Sequence, residues 1–160
     1  MKSNGTLVAW GKFANTATFL DAFVPADLTN VSSIAGSLQN AIATRNNGAI
    51  KAWGFTNAAA VVKAPTNITT ARAVGTGWNH GAVALQGRSV IVWGVTNAEL
   101  GWHLTDVPTN LNDAVAISAG AFHTLALRGD GTVVSWGANS YGETNVPAGL
   151  SNVVTAIPQD

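Results

Sequence analysis

An all-β fold, built of antiparallel β-propeller blades, about four of them with one incomplete, follows from three regularities in this 160-residue sequence. Trp-Gly recurs at near-equal spacing, at Trp10-Gly11, Trp53-Gly54, Trp93-Gly94 and Trp136-Gly137. A proline precedes each of the last three tryptophans at one fixed interval, Pro25 before Trp53, Pro65 before Trp93 and Pro108 before Trp136, and Pro147 opens a fourth such unit. Asn-Gly or Asp-Gly precedes three of the tryptophan strands, at Asn4-Gly5, Asn47-Gly48 and Asp130-Gly131. A period of about 40 residues marks units that bury their apolar faces only by stacking on one another.

The interval from proline to tryptophan is constant, whereas the interval from tryptophan to the next proline varies. It is longer from Trp10 to Pro25 and from Trp93 to Pro108 than from Trp53 to Pro65 and from Trp136 to Pro147. A rigid unit therefore alternates with a tolerant loop. The best-formed unit parses into three strands: AVAI (114–117), HTLAL (123–127) and TVVSW (132–136). Asn-Gly and Asp-Gly between the second and third strands predict type I′ hairpin turns, in which both central residues take positive φ. Gly87-Arg88 replaces the pair in one unit and predicts type II′ instead.

The third strands read TLVAW, AIKAW, SVIVW and TVVSW, apolar on both faces, which predicts cover on both sides by stacked blades. Lys51 interrupts the Trp53 face and is expected to run its stem along the strand with the ammonium outward. The chain divides as one repeat domain, 1–160, with units near 1–24 (partial), 25–64, 65–107, 108–146 and 147–160 (partial). It holds four Trp-Gly strands and four proline-led first strands but only three second strands. One blade thus lacks its middle strand, and the expectation is a half-ring completed by another chain, ahead of a compact four-bladed ring.

Gly-x-x-His-x-Leu-Ala-Leu, then Asp/Asn-Gly and a hydrophobic Trp-Gly strand, then Asn-x-x-Gly-Glu-x-Asn-Val-Pro, is clearest from Gly120 to Pro147. This pattern resembles the regulator-of-chromosome-condensation type of repeat. The resemblance is specific in the last unit, moderate in the third and eroded in the first two, where SLQN (37–40) replaces Gly-x-x-His. It implies a β-propeller; family rings close with about seven blades, inside the range of four to eight typical of propellers. Its members bind proteins through loop-decorated rims, among them a guanine-nucleotide exchange factor and secreted propeller-type β-lactamase inhibitory proteins. Neither activity transfers: the exchange factor's wedge has no counterpart here, and no secretion signal supports the inhibitor.

Composition narrows the function classes. Eight Lys+Arg balance 8 Asp+Glu, and the basic residues are scattered, so no stripe suited to nucleic acid is present. There is no cysteine, hence no disulfide, thiolate nucleophile or Cys-ligated metal. The N-terminal MKSNGTLVAWG lacks an apolar signal core, and no stretch is long enough for membrane insertion; the expectation is a cytoplasmic or virion-associated chain.

No catalytic constellation emerges. The carboxylates form no pair for acid–base work, and neither a Gly-x-Ser-x-Gly elbow nor a phosphate-cradling loop is present. His80 and His123 stand at equal distances before Trp93 and Trp136. With no acidic cluster nearby they read as structural residues bonded to their own blade's backbone rather than as metal ligands. The expectation is a non-enzyme with no metal and no cofactor, in which Trp10, Trp53, Trp93 and Trp136 serve the repeat.

The functional signal is positional. If strands alternate up and down, the loops before each second strand and the loops after each Trp-Gly share one end. That end collects Trp78, Asn79 and Phe122 from the first set, and Phe13, Phe55, Trp102, His103 and Tyr141 from the second. Aromatics dominate binding hot spots, so this rim is expected to engage a protein partner, with the chain itself as one candidate. The alternative is a phage or virion structural component, or a host-recognition module that binds glycan.

Overall fold

The computed structural model describes residues 1–2, 5–14, 19–54, 59–95 and 101–155, with backbone alone for 12–14, 19–21, 59 and 60. Among the described residues three antiparallel three-stranded sheets carry the fold. The first blade comprises β3 (Val31–Gly36), β4 (Asn40–Arg45) and β5 (Ile50–Gly54), in the order β3-β4-β5. The second comprises β6 (Ala71–Thr76), β7 (His80–Leu85) and β8 (Val90–Gly94). The third comprises β9 (Ala114–Ala119), β10 (His123–Arg128) and β11 (Val133–Gly137). A short hairpin, β1 (Lys12–Ala14) with β2 (Phe19–Asp21), and a single helical turn, α1 (Ala59–Val62), occupy two of the variable intervals.

The blades stand in a row, with β6 packed against β3 on one side and β9 on the other. First strands are therefore innermost and third strands outermost. This placement corrects the expectation that the third strands are covered on both faces. In β5, β8 and β11 only the tryptophan is buried, whereas the middle strands β4 and β7 are buried along all but their last residue. A wedge-shaped blade closes over its middle strand and leaves its outer strand half in water. Lys51 uses that opening: its ammonium reaches Asp27 at 3.1 Å, in solvent, as expected.

Three buried clusters fill the spaces between and beside the blades. Ile42 of the first blade meets Ile68, Ala71, Val83 and Trp93 of the second. Ala82 and Ala84 of the second meet Leu111, Ala114, Ile117 and Trp136 of the third. Trp53 packs with Leu28, Val31, Ala41 and Ala43, and Leu7 of the N-terminal segment covers it. Each tryptophan faces one residue of its middle strand: Ala41, Gly81 or Thr124. At Gly81 the indole of Trp93 and the δ-methyl of Ile42 occupy the space a Cβ would need, so only glycine fits there.

The turns correct a second expectation. Gly48 N donates to Arg45 O, Arg88 N to Leu85 O and Gly131 N to Arg128 O, and the last residue of each turn alone takes positive φ, at 77°, 67° and 80°. Neither Asn47, Gly87 nor Asp130 has positive φ. These are type I turns closed by a left-handed residue, a geometry that common three-residue hairpin loops adopt. Asn47 and Asp130 serve through their side chains: Asn47 Oδ1 accepts from Ala49 N at 3.1 Å, and Asp130 Oδ1 accepts from Thr132 N at 2.9 Å and Thr132 Oγ1 at 2.7 Å. Asn4 lies outside the described residues.

The left-handed residue also clamps the next unit. Gly48 O accepts from Ala71 N, Arg88 O from Ala114 N and Gly131 O from Val153 N, each at 3.0 Å; Gly5 O accepts from Val31 N at 3.2 Å. The two end fragments thus sit in blade register. Neither forms a blade strand: residues 6–10 are not extended into a sheet, and 151–155 pair with nothing as a strand. Trp10 is 85% exposed, which corrects its assignment as a stacking tryptophan. Among the described residues no middle strand pairs with its segment, so it joins no ladder.

Candidate functional site

The loop end is where the sequence placed it. Val95 N donates to Asn79 O at 2.9 Å and Ala138 N to Phe122 O at 2.8 Å, so each loop before a middle strand lies against the segment after its Trp-Gly. The approach requires glycine: at Gly54, Gly94 and Gly137, all with positive φ, a Cβ would collide with the backbone of Gln39, Asn79 or Phe122. The Gly of Gly-x-x-His has a similar reason. At Gly77 and Gly120 the imidazole of His80 or His123 lies where a Cβ would go.

Three of the expected rim residues come together. Phe122 is stacked on Trp102, with centroids 4.2 Å apart at 19°, and meets the edge of Trp78 at 5.5 Å and 69°. The row crosses two blades, since Trp78 precedes β7 and Phe122 precedes β10. A backbone bond from Trp78 N to Ala121 O, at 3.1 Å, joins the two loops. Trp78 keeps 38% of its surface exposed at the end of the row, with Asn79 half-buried beside it in sequence. Trp102 and Phe122 are half-buried, so part of each ring anchors the loops and part faces outward.

His103 stands next to Trp102 and pairs through Nδ1 with Asp106 Oδ2 at 3.1 Å, on the surface. Tyr141 is separate from the row and 95% exposed. Its loop is nonetheless ordered by polar contacts: Asn139 Nδ2 donates to Asn145 Oδ1 at 3.0 Å, Thr144 N to Asn139 Oδ1 at 3.1 Å and Tyr141 N to Glu143 Oε2 at 2.8 Å. Glu143's own backbone N–H, and then that of Tyr141, hold its carboxyl below the usual range. Phe13 lies on β1, where only the backbone is described, and Phe55 lies outside the described residues.

His80 corrects a third expectation. His80 is fully buried and its Nε2 bonds Thr124 Oγ1 of the next blade at 2.9 Å, rather than its own blade's backbone. Asn40 fills the equivalent place in the first blade, as far before Trp53 as His80 is before Trp93. Its Nδ2 donates to Gly77 O at 3.1 Å and its Oδ1 accepts from Thr76 Oγ1, both in the second blade. The spacing was there to be read in SLQN, but Asn40 was hidden by the change of residue type. A polar side chain at the head of each of these middle strands therefore ties one blade to the next.

Leu104 is a second residue that the sequence did not mark. Fully buried, it offers its carbonyl to Trp136 Nε1 at 3.1 Å, two residues from Trp102. Among the described residues no group of three His, Cys, Asp or Glu is placed to hold a metal ion, and no helix is long and apolar enough to cross a membrane.

The regulator of chromosome condensation (RCC1) repeat model matches residues 114–143, the third blade with the start of the Tyr141 loop. Among solved structures, the chain is similar to yeast RCC1 (Prp20) bound to Kap60, with TM-score 0.65 and 16% identity over 87% of this chain and 39% of that one. A structure of Prp20p from Saccharomyces cerevisiae, described with its binding properties to Gsp1p and histones, gives 0.65 and 18% over 87% and 41%. Human WBSCR16 gives 0.59 and 19% over 86% and 42%. This chain spans about two fifths of those structures' length, and at such identities the likeness establishes the fold. No curated protein sequence matches it.

Proposed function

Because this chain carries a regulator-of-chromosome-condensation repeat within an arc of propeller blades, we propose that it is a non-catalytic binding module that engages a protein partner through its aromatic rim. The Trp78–Phe122–Trp102 row supports this reading. The Trp78 and Phe122 loops are joined by a backbone bond and the Trp102 loop is tied down by the Trp136 indole, and a rigid aromatic anchor costs little entropy when it binds. Yeast Prp20, with the same blade architecture, has been solved bound to Kap60 and has binding properties to Gsp1p and histones, which makes a protein the first class of partner to test.

The test is a binding assay with Trp78→Ala against wild type, on candidate host or virion proteins and on a glycan array. Loss of protein binding, with the thermal melt unchanged, supports the reading. Rim-dependent glycan binding without protein binding replaces it with the glycan-recognition alternative. Protein binding that survives Trp78→Ala and Tyr141→Ala together removes the rim from the function.

A further inference from the structure

The three hairpin turns that clamp one unit to the next differ in the residue ahead of the clamp. Asn47, Gly87 and Asp130 precede Gly48, Arg88 and Gly131, whose carbonyls accept from Ala71, Ala114 and Val153. Of the three, Asn47 alone sets a side-chain amide before a residue that has no side chain. Gly87 offers nothing to react. Asp130 presents a carboxylate, kept ionised by its hydrogen bonds from Thr132, and a carboxylate resists attack by nitrogen.

The Asn47-Gly48 turn lies between two complete blades, with Asn46 and Asn47 exposed to water and Gly48 buried. Asn47 Oδ1 accepts from Ala49 N at 3.1 Å, which folds the side-chain amide back over the Gly48 peptide and polarises its carbonyl. The nucleophile at hand is the backbone nitrogen of Gly48, which no neighbouring Cβ shields. We propose that Asn47 is a site of spontaneous covalent modification, and that its modification unfastens the first blade from the second.

In the first step the Gly48 amide proton passes through water to the departing amide group. A bond forms between Gly48 N and Asn47 Cγ, the Cγ–Nδ2 bond breaks, and ammonia leaves behind a five-membered succinimide. Water then opens the ring on either side. Breaking the bond from nitrogen to Cγ leaves aspartate at position 47. Breaking the bond from nitrogen to the Asn47 carbonyl carbon leaves isoaspartate, whose main chain runs through Cβ and Cγ. The sum consumes water, releases ammonia and adds a carboxylate.

The third blade displays how the first product fits. Arg128, Asp130 and Gly131 stand where Arg45, Asn47 and Gly48 stand, and the Gly131 clamp is closed. Asp130 Oδ1 accepts from Thr132 N as Asn47 Oδ1 accepts from Ala49 N, so aspartate at 47 preserves the turn. Isoaspartate does not. It lengthens by a methylene a turn that is pinned by Asn46 N to Asn30 O at 2.7 Å, Gly48 N to Arg45 O at 2.8 Å and Ala71 N to Gly48 O at 3.0 Å. Gly48 has no room to absorb the excess, since even a Cβ there would collide with the Thr69 carbonyl. The clamp opens, and the cluster of Ile42, Val83 and Trp93 between the blades loses its support. The rim is not involved.

The experiment ages the wild-type chain in warm, mildly alkaline buffer and digests it with trypsin, which frees residues 46–51 by cutting after Arg45 and Lys51. Expected are the mass gain of an amide turned to an acid at Asn47 and methyl transfer by an isoaspartate methyltransferase. The thermal melt should fall by about 4 °C or more. Two variants isolate the cause. Freshly purified Asn47→Asp carries the charge without the lengthened main chain and should melt like wild type. Asn47→Ser, aged in parallel, cannot form the ring and should keep its melt, while sharing any change at Asn4-Gly5. Absence of a mass gain at Asn47, under conditions in which the synthetic 46–51 peptide reacts, overturns the proposal. So does a fresh Asn47→Asp that melts as low as the aged chain, or an aged Asn47→Ser that falls equally.

Discussion

The indole N–H of Trp136 donates to the carbonyl of Leu104 across 32 residues of sequence. The bond joins the outermost strand of the third blade to the loop that carries Trp102 and His103. A repeat tryptophan thereby does two things: it fills the space between blades and fixes the segment from which the rim projects. Trp53 and Trp93 make the same reach to Phe23 and Val61, although the intervals they bridge differ in length and structure. Each of these three intervals, whatever its length, presents one carbonyl to a repeat indole.

Trp136→Phe keeps most of the ring and removes the donor. The buried Leu104 carbonyl then loses its partner, at a cost of about 1–3 kcal/mol. Trp136→Ala adds a cavity and should cost about 3–5 kcal/mol. Urea unfolding measures both. For Trp136→Phe, amide hydrogen exchange in the 101–106 loop should also quicken as the loop loosens, and unaltered exchange would separate the bond from the rim.

Gly48 and Arg88 occupy the same left-handed turn position with opposite consequences. At Gly48 a Cβ would collide with the carbonyl of Thr69 in the next unit, so Gly48→Ala should destabilise by more than about 2 kcal/mol through steric conflict and φ strain. Arg88 already bears a side chain at φ 67°, and Arg88→Gly should be neutral to about 1 kcal/mol stabilising. Paired chemical melts test the contrast; equal effects at the two sites would mean that the turn, and not the clamp, sets the requirement.

His80 makes the interface between the second and third blades sensitive to acid. Burial, reinforced by charge on His123 and opposed by a hydrogen bond with the His123 backbone, holds its pKa down to about 4 from 6.5. Between those values the unfolded chain binds more protons than the folded one. Stability is therefore complete above pH 6.5 and falls as the pH drops toward 4, by about 3 kcal/mol. His80→Asn, which copies the residue used at position 40, should flatten that window when melts are recorded from pH 7 to 4. A variant with the same acid slope as wild type would exclude His80 as its source.

Asp130 and Asp27 should add to acid loss at lower pH. Thr132 hydrogen bonds, first through the side chain, lower the Asp130 pKa, and a Lys51 hydrogen bond lowers that of Asp27. A carboxylate depressed in this way stabilises the fold above its unfolded pKa and loses that contribution as pH falls through the folded one. Both groups are exposed, so the effect is small and weakened by salt. Asp130→Asn keeps the acceptor for Thr132 and should show a shallower slope below pH 4, read by the same melts.

Much of the architecture was legible because a repeat states its rule several times. Trp53, Trp93 and Trp136 at fixed distance from a proline defined three blades, and the two-ended arrangement of loops placed Trp78, Phe122 and Trp102 on one rim. Other features escaped because a local pattern has more than one geometric solution. Asn47-Gly48 is compatible with two turn types, and the choice fell to a type I turn whose left-handed glycine can reach the next blade. His80 could bond within its blade or across to the next, and the stacking distance to Thr124 decided.

By itself the sequence determined the unit, its period, its glycines and the end of the molecule on which the loops gather, since these follow from alternation, turn chemistry and spacing. Tertiary structure decided which of those units become blades. Trp10 has the same neighbours in sequence as its siblings, yet it is 85% exposed, because among the described residues no middle strand pairs with its segment and no blade face covers it. Pairing and cover of this kind are set by how the strands meet in space, which the pattern of a single strand does not carry.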